Sequence, residues 1–272
     1  MPRPSLLQVA VVLLLGMVGL IAVSAAYRAR THLAVPPQQP PVAVPNPTPG
    51  TPQQLAPQPA APPVAAARKK GLSFSVVHVR HGFRLPLRSK PGGHVLARAW
   101  WVTEYGSTAT LAVAATRGRW LGLTSSDVPN GKLGWVRADD PALDLRLTRV
   151  SLLIDLSRRT LEVRDGQHVV RRARVGIGRR GSVTPTGRFS ITDELRGSTF
   201  GPYYGCCILA LSGHQTHPPA GWLGGDRLAI HGTNAPGSIG VRSSAGCLHA
   251  DAEDLRVLMR RVPLGTPVFI QA

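Results

Sequence analysis

Two patterns of apolar residues divide the chain. From Pro4 to Tyr27 no residue is charged, and a helix of this length, at about 1.5 Å per residue, can cross a bilayer. From Leu72 onward the apolar residues occur in short runs, many of them alternating with polar residues, with turn residues about every ten positions. The pattern therefore predicts an N-terminal transmembrane helix followed by a mainly β fold.

Local signals place individual elements in the C-terminal part. The pair Asp165-Gly166 predicts a tight hairpin turn between two strands. One main helix is predicted over residues 251–262, with Asp251 as its N-cap. Its apolar residues recur at helical spacing: Leu255, Leu258, Met259 and Val262.

The segment before the β-rich part has a different composition. Residues 28–71 are rich in proline, which predicts either an extended linker of about 3 Å per residue or a disordered spacer. The formal charge of +18 is spread over the parts predicted to fold and favours polyanionic partners without choosing among them. Residues 1–27 fit either an uncleaved membrane anchor or a signal peptide, because small residues near Ala25 could form a cleavage site.

Residues 72–147 are predicted to form a small β module. The stretches "LPLRSKPGG", "RGRWLGL" and "NGKLGWV" resemble a bacterial SH3-like module, which implies a small β-barrel. Three tryptophans in this module have two interpretations, as barrel core or as an exposed platform for a ligand: Trp101, Trp120 and Trp135.

Candidate chemistry lies near the C-terminus, where His231 and Cys247 are sixteen positions apart. A thiol attacks a carbonyl only as its thiolate, so a catalytic cysteine needs an imidazole within hydrogen-bond reach. The backbone amides of residues 245–247 could stabilise an oxyanion, and the helix that begins near Asp251 could lower the thiol pKa.

Other interpretations of these residues remain open. A zinc site would draw on five side chains: His214, His217, His231, Cys247 and His249. The adjacent Cys206 and Cys207 are predicted to be apolar residues of a core strand. The stretch 212–225 is either a lid over the site or a plain surface loop.

The motifs "TPTGRFSI", "IHGTNAPGSIG" and "SSAGCLHADAEDL" resemble, in content and order, those of the YkuD-type L,D-transpeptidases. The resemblance implies that residues 148–272 form a β-rich catalytic domain with Cys247 as nucleophile, His231 as base and the Gly232 carbonyl orienting the imidazole. It also assigns an oxyanion or substrate-binding role to four residues: Ser244, Ala245, Gly246 and His249. At Ala245 and His249 the sequence departs from the commoner residues of the family.

The expected function is a peptidoglycan L,D-transpeptidase that forms 3-to-3 cross-links through a cysteine acyl-enzyme on the stem tetrapeptide. The resemblance implies no cofactor and no metal, stem peptides as partners, and a membrane-anchored, extracytoplasmic location; no nucleic-acid partner is expected. The alternatives are an L,D-carboxypeptidase of the same fold and a catalytically silent wall-binding protein. A cleaved signal peptide remains the alternative to the anchor.

Overall fold

The computed structural model describes residues 73–222 and 224–272. The predicted membrane helix, residues 1–27, and the predicted linker, residues 28–71, lie outside the described residues. Over the part of the chain that is described, no helix has the length and apolar character needed to cross a bilayer. The described residues all belong to one structural unit, Pro57–Ala272.

Seven strands form the first sheet, which contains the described part of the predicted β module. They are β1 (Phe74–Val79), β2 (Arg84–Arg88), β3 (Val95–Trp100), β4 (Thr110–Arg117), β5 (Trp120–Leu123), β6 (Gly134–Arg137) and β7 (Leu143–Thr148). Their order is β3-β2-β6-β5-β4-β1-β7, and neighbouring strands are antiparallel. This confirms a β unit here, while its SH3-like character stays a prediction.

The core of the first sheet contains Leu85, Leu87 and Leu123, which are fully buried. Trp135 is also buried, at 7% exposure, and lies against Gly122, where an added Cβ would touch its ring. The three tryptophans therefore do not share one exposed platform, because Trp135 belongs to the interior and Trp101 packs against the core.

A second sheet of eight strands carries the C-terminal part. Its strands are β8 (Val150–Asp155), β9 (Thr160–Asp165), β10 (His168–Arg174), β12 (Gly187–Arg196), β13 (Cys207–His214), β14 (Arg227–His231), β16 (Leu248–His249) and β17 (Pro267–Gln271). Their order is β10-β9-β8-β17-β12-β13-β14-β16. The short strands β11 (Ile177–Gly178) and β15 (Arg242–Ser244) pair separately in parallel.

One α-helix is present among the described residues, α1 (Ala252–Arg261). The Asp251 side chain accepts a 2.7 Å hydrogen bond from the Glu253 N–H, which confirms the predicted N-cap. Leu255 and Leu258 are fully buried and fix the helix on the second sheet. Three short 3-10 turns complete the elements: η1 (Gly197–Thr199), η2 (Pro202–Tyr204) and η3 (Pro236–Ser238).

Hydrogen bonds join the first sheet to the second. The Thr124 hydroxyl donates to the Ser190 hydroxyl oxygen over 3.0 Å, and the Arg188 guanidinium donates to the Ala114 carbonyl over 2.7 Å. Asn130 makes two hydrogen bonds with the backbone of His214, at the end of β13. The two sheets are therefore fixed against each other close to the candidate site.

Candidate active site

Cys247 and His231 lie on the same face of neighbouring parallel strands. In the register of β14 and β16, His231 lies opposite His249, and Ile230 opposite Leu248. Cys247 precedes β16, so the same register places it beside Ala229. Side chains two residues apart on a strand share a face, which puts Cys247, His249, Ala229 and His231 on one side of the sheet.

The imidazole of His231 is completely buried and is fixed by one hydrogen bond. Its Nδ1 lies 2.5 Å from the Gly232 carbonyl oxygen, which can only accept, so Nδ1 carries the proton. Nε2 has no hydrogen-bond partner among the described residues. Its lone pair is therefore available for a proton from another group.

Aromatic rings pack around the His231 imidazole, and its burial disfavours the protonated form. The ring centroids of Tyr204, His249 and Tyr203 lie 4.9, 4.8 and 5.6 Å from that of His231. Desolvation, aided by the neighbouring His249, lowers the pKa of His231 to about 3, although the Gly232 carbonyl opposes the shift. His231 is consequently neutral at physiological pH.

Cys247 is half-buried, and in this structure its Sγ lies 3.8 Å from the Arg227 carbonyl oxygen instead of within reach of His231 Nε2. Desolvation raises the pKa of the Cys247 thiol to about 11, and a hydrogen bond from the Ala229 backbone opposes the shift only in part. The sequence suggested that the helix near Asp251 lowers this pKa, whereas burial in the folded site raises it. Thiol and imidazole are both neutral at rest.

The loop before the nucleophile is fixed by side-chain hydrogen bonds. The Ser244 hydroxyl donates to the Cys247 carbonyl over 2.6 Å and accepts the Gly246 N–H over 3.1 Å. Thr184 adds a 2.8 Å bond to the Gly246 carbonyl. Because the Gly246 N–H is already used, the structure does not present it to an oxyanion as expected, and the amides of Ala245 and Cys247 remain the candidate donors.

Gln215 is a supporting residue that sequence reasoning missed. Its Nε2 donates to the Ala245 carbonyl over 2.7 Å and to the carbonyls of Ser182 and Val183 over 3.2 and 3.3 Å. Gly246 has a φ of +127°, and a Cβ there would collide with the Gln215 amide. The only sequence feature that pointed to Gln215 was its position between His214 and His217, in the stretch 212–225 that could form a lid.

His249, expected to contact the oxyanion or the substrate, is buried in the structure. It is 4% exposed, and its Nδ1 lies 2.8 Å from the Ser238 hydroxyl. Desolvation lowers its pKa to about 4. Its ring packs against His231 and Tyr203, so the structure places it beside the base.

Two of the five residues of the alternative zinc site, His214 and His217, have other surroundings in the structure. His214 bonds to the Asp226 carboxylate at 3.0 Å and to the Ser126 carbonyl at 2.8 Å, while His217 is exposed beside Thr216. No cluster of three metal-ligating side chains occurs within residues 73–222 and 224–272.

Cys206 and Cys207 also differ from expectation, because the structure joins these adjacent residues in a disulfide instead of leaving two core thiols. Cys207 is nevertheless buried in β13, as the sequence predicted. Cys247 is the free cysteine. Because Cys206 and Cys207 are bonded to each other, neither forms a disulfide with the candidate nucleophile Cys247.

A cavity of about 110 Å³ opens at Cys247 and His231. Its walls come from β13, β14 and the loop of residues 245–247, which we call the nucleophile loop. Five aromatic residues also line it: Tyr105, Phe200, Tyr203, Tyr204 and Trp222. Trp222 belongs to the stretch 212–225, which accordingly contributes to the site. Tyr105 comes from the first sheet and was not predicted.

A buried imidazole with a free Nε2 and a lone thiol in one cavity form an arrangement suited to acyl transfer. Residues 149–270 match the model of the L,D-transpeptidase catalytic domain, YkuD. The resemblance inferred from the motifs is thus confirmed for this segment. The match does not include the first sheet.

Curated relatives agree with this assignment of the segment. The chain is 32% identical over 121 residues to "Putative L,D-transpeptidase YkuD" of Bacillus subtilis (strain 168), covering 44% of this chain and 64% of the relative. It is 52% identical over 40 residues to "Probable L,D-transpeptidase YbiS" of Escherichia coli (strain K12), covering 15% of this chain and 13% of the relative. The chain thus spans less than two thirds of these relatives.

Solved structures give a weaker likeness. An L,D-transpeptidase from Mycobacterium smegmatis is 19% identical, with a TM-score of 0.39, over 72% of this chain and 99% of that chain. L,D-transpeptidase 3 from Mycobacterium tuberculosis is also 19% identical, with a TM-score of 0.35, over 53% and 75% of the two chains. With TM-scores this low, neither likeness bears on the function.

Proposed function

We propose that this protein is a peptidoglycan L,D-transpeptidase that works through a thioester on Cys247. The observation that supports the proposal most directly is the shared cavity, in which the only free thiol of the described residues lies on the same strand face as His231. Because Nδ1 of His231 is bonded to the Gly232 carbonyl, Nε2 is the ring nitrogen left to accept a proton, and His231 lines the cavity.

In the proposed first step, the Cys247 side chain turns from the Arg227 carbonyl toward His231 Nε2. Sulfur attacks the carbonyl of the third, L-centred residue of a tetrapeptide stem while Nε2 takes the thiol proton. The amides of Ala245 and Cys247 stabilise the oxyanion. The imidazolium then protonates the departing amine of the terminal D-alanine, which leaves a thioester on sulfur.

In the second step, the side-chain amine of a neighbouring stem attacks the thioester. His231 accepts the proton of the amine and returns it to the Cys247 sulfur as the new amide forms, giving a 3-to-3 cross-link. None of these steps draws on a group beyond the chain and its two stems. Peptidoglycan lies outside the membrane, so the proposal includes an extracytoplasmic location, with residues 1–27 as anchor.

The test uses the purified full-length protein, a defined tetrapeptide stem and mass spectrometry of the products. We expect loss of D-alanine, a cross-linked dimer of the stems, and a covalent adduct with a carbapenem at Cys247. Cys247→Ala should abolish the adduct, whereas the double variant Cys206→Ala, Cys207→Ala should keep it. An adduct on Cys206 or Cys207 would contradict the assignment, and a tripeptide without dimer would identify a carboxypeptidase.

A further inference from the structure

One residue that lines the cavity comes from the part of the chain that forms the first sheet. The loop between β3 and β4, residues 101–109, carries Tyr105, which lines the same cavity as Cys247 and His231. The ring of Tyr105 packs edge-to-face on Phe200, with 5.9 Å between centroids. Tyr105 is 39% exposed, so part of its surface remains open at the rim.

An ion pair and a hydrogen bond fix this loop to the second sheet. Arg227, whose side chain is 13% exposed, pairs with Glu104. The Thr103 hydroxyl is bonded to the Asp193 carboxylate, which is fully buried in β12. The two residues that precede Tyr105 in this loop are therefore both held by side chains of the second sheet.

Arg227 links the loop to the nucleophile. Its Nη2 donates to the Thr192 hydroxyl over 2.7 Å and to the Leu211 carbonyl over 2.8 Å, while its own carbonyl lies 3.8 Å from Cys247 Sγ. The guanidinium carbon lies 5.9 Å from the Tyr105 ring centroid. Tyr105 is thus pre-positioned by the same residue whose backbone contacts the thiol.

We infer that Tyr105 is a specificity-determining residue that binds the donor stem peptide at the rim of the cavity. The inference rests on the proposed function. A cavity of about 110 Å³ is far smaller than the roughly 300 to 1,000 Å³ of pockets that enclose drug-sized ligands. It accommodates the attacked acyl group, so the rest of the bound stem extends out of the cavity over its rim. Tyr105 and Trp222 present exposed aromatic surface there.

The chemistry of the rim fits a peptide chain. Glu104 offsets the positive charge of Arg227 beside Tyr105, so the surface offered there is aromatic more than ionic. A tyrosine ring offers a bound peptide a broad apolar contact, and the tyrosine side chain itself loses little conformational freedom on binding. The first sheet would therefore take part in substrate selection, and the segment 149–270 would be incomplete as a binding site without it.

The test compares three variants of the full-length protein: Tyr105→Ala, Tyr105→Phe and Trp100→Ala. Trp100 is a matched control, because it is also 39% exposed on the first sheet but does not line this cavity. For each variant, KM and kcat are measured with the tetrapeptide stem, and the acylation rate of Cys247 is measured with a carbapenem. Thermal melting followed by circular dichroism reports on folding.

We expect Tyr105→Ala to raise KM for the tetrapeptide by about tenfold, the loss of one good aromatic contact, with kcat and carbapenem acylation within about twofold of wild type. Tyr105→Phe and Trp100→Ala should leave KM unchanged. An unchanged KM in Tyr105→Ala would overturn the inference. So would an equal loss of carbapenem acylation, which would show that Tyr105 acts on the thiol through Arg227. Absence of the carbapenem adduct in wild type would instead refute the proposed function.

Discussion

Acidification from pH 8 to pH 5 should destabilise this protein through two buried imidazoles, His231 and His249. Both are less than 5% exposed, and burial lowers their pKa values to about 3 and about 4. A histidine of the unfolded chain titrates near pH 6.5. Between these values the unfolded state binds more protons than the folded state, so stability falls as the pH drops below about 6.5.

The size of this effect follows from the two pKa values. At pH 5 a free imidazole gains about 2 kcal/mol from proton uptake, and a folded group with a pKa of about 3 or about 4 gains almost nothing. The two histidines together therefore remove about 4 kcal/mol from the free energy of unfolding between pH 8 and pH 5. That is a large part of the stability of an ordinary domain.

The assay is urea unfolding of wild type and His249→Asn at both pH values. Asparagine can keep a polar contact to Ser238, but it does not titrate, so the loss between pH 8 and pH 5 should shrink by about 2 kcal/mol. His168→Asn, at an exposed position of β10, serves as the control and should behave as wild type. If His249→Asn showed the full wild-type loss, the buried imidazole would not be the source of acid sensitivity.

Two further predictions concern the nucleophile loop and the domain boundary. Gly246→Ala should lower the free energy of unfolding by about 1 to 3 kcal/mol and reduce carbapenem acylation of Cys247 at least tenfold, because the added Cβ meets the Gln215 amide at an unfavourable φ. Gly237→Ala is the control: a Cβ there meets nothing within 4 Å, so the acylation rate should not change. Brief trypsin treatment should cut at Arg68, Lys69 or Lys70 and release a stable fragment that retains carbapenem acylation, whereas early cleavage inside 150–272 would contradict the domain division.

The elements that the sequence predicted correctly depend on short-range interactions. Asp165-Gly166 forms the hairpin between β9 and β10 because Gly166 adopts a φ of +58°, which glycine tolerates. Asp251 caps α1 through a bond to a residue two positions away. His231 ends an apolar strand, as the run before it indicated. In each case the residues that decide the structure are neighbours in the sequence.

The features that were missed depend on residues far apart in the chain. The loop that carries Tyr105 is fixed at the cavity in part by Glu104, which pairs with a residue 123 positions away. The pKa of the Cys247 thiol is raised mainly by desolvation in the folded site, which the sequence does not reveal. His249 matched a position of the family motif, but its parallel pairing with His231 makes it a buried neighbour of the base.

The neutrality of the resting pair bears on the choice of acceptor. A thiol with a pKa of about 11 next to an imidazole with a pKa of about 3 does not form an ion pair at rest, so proton transfer has to accompany the attack on the stem. The desolvation responsible comes in part from Tyr203 and Tyr204, which line the cavity around His231. Under the proposed function, the same burial would limit the access of water to the thioester. An amine carried on a second stem would then compete well against water, which favours transpeptidation over hydrolysis.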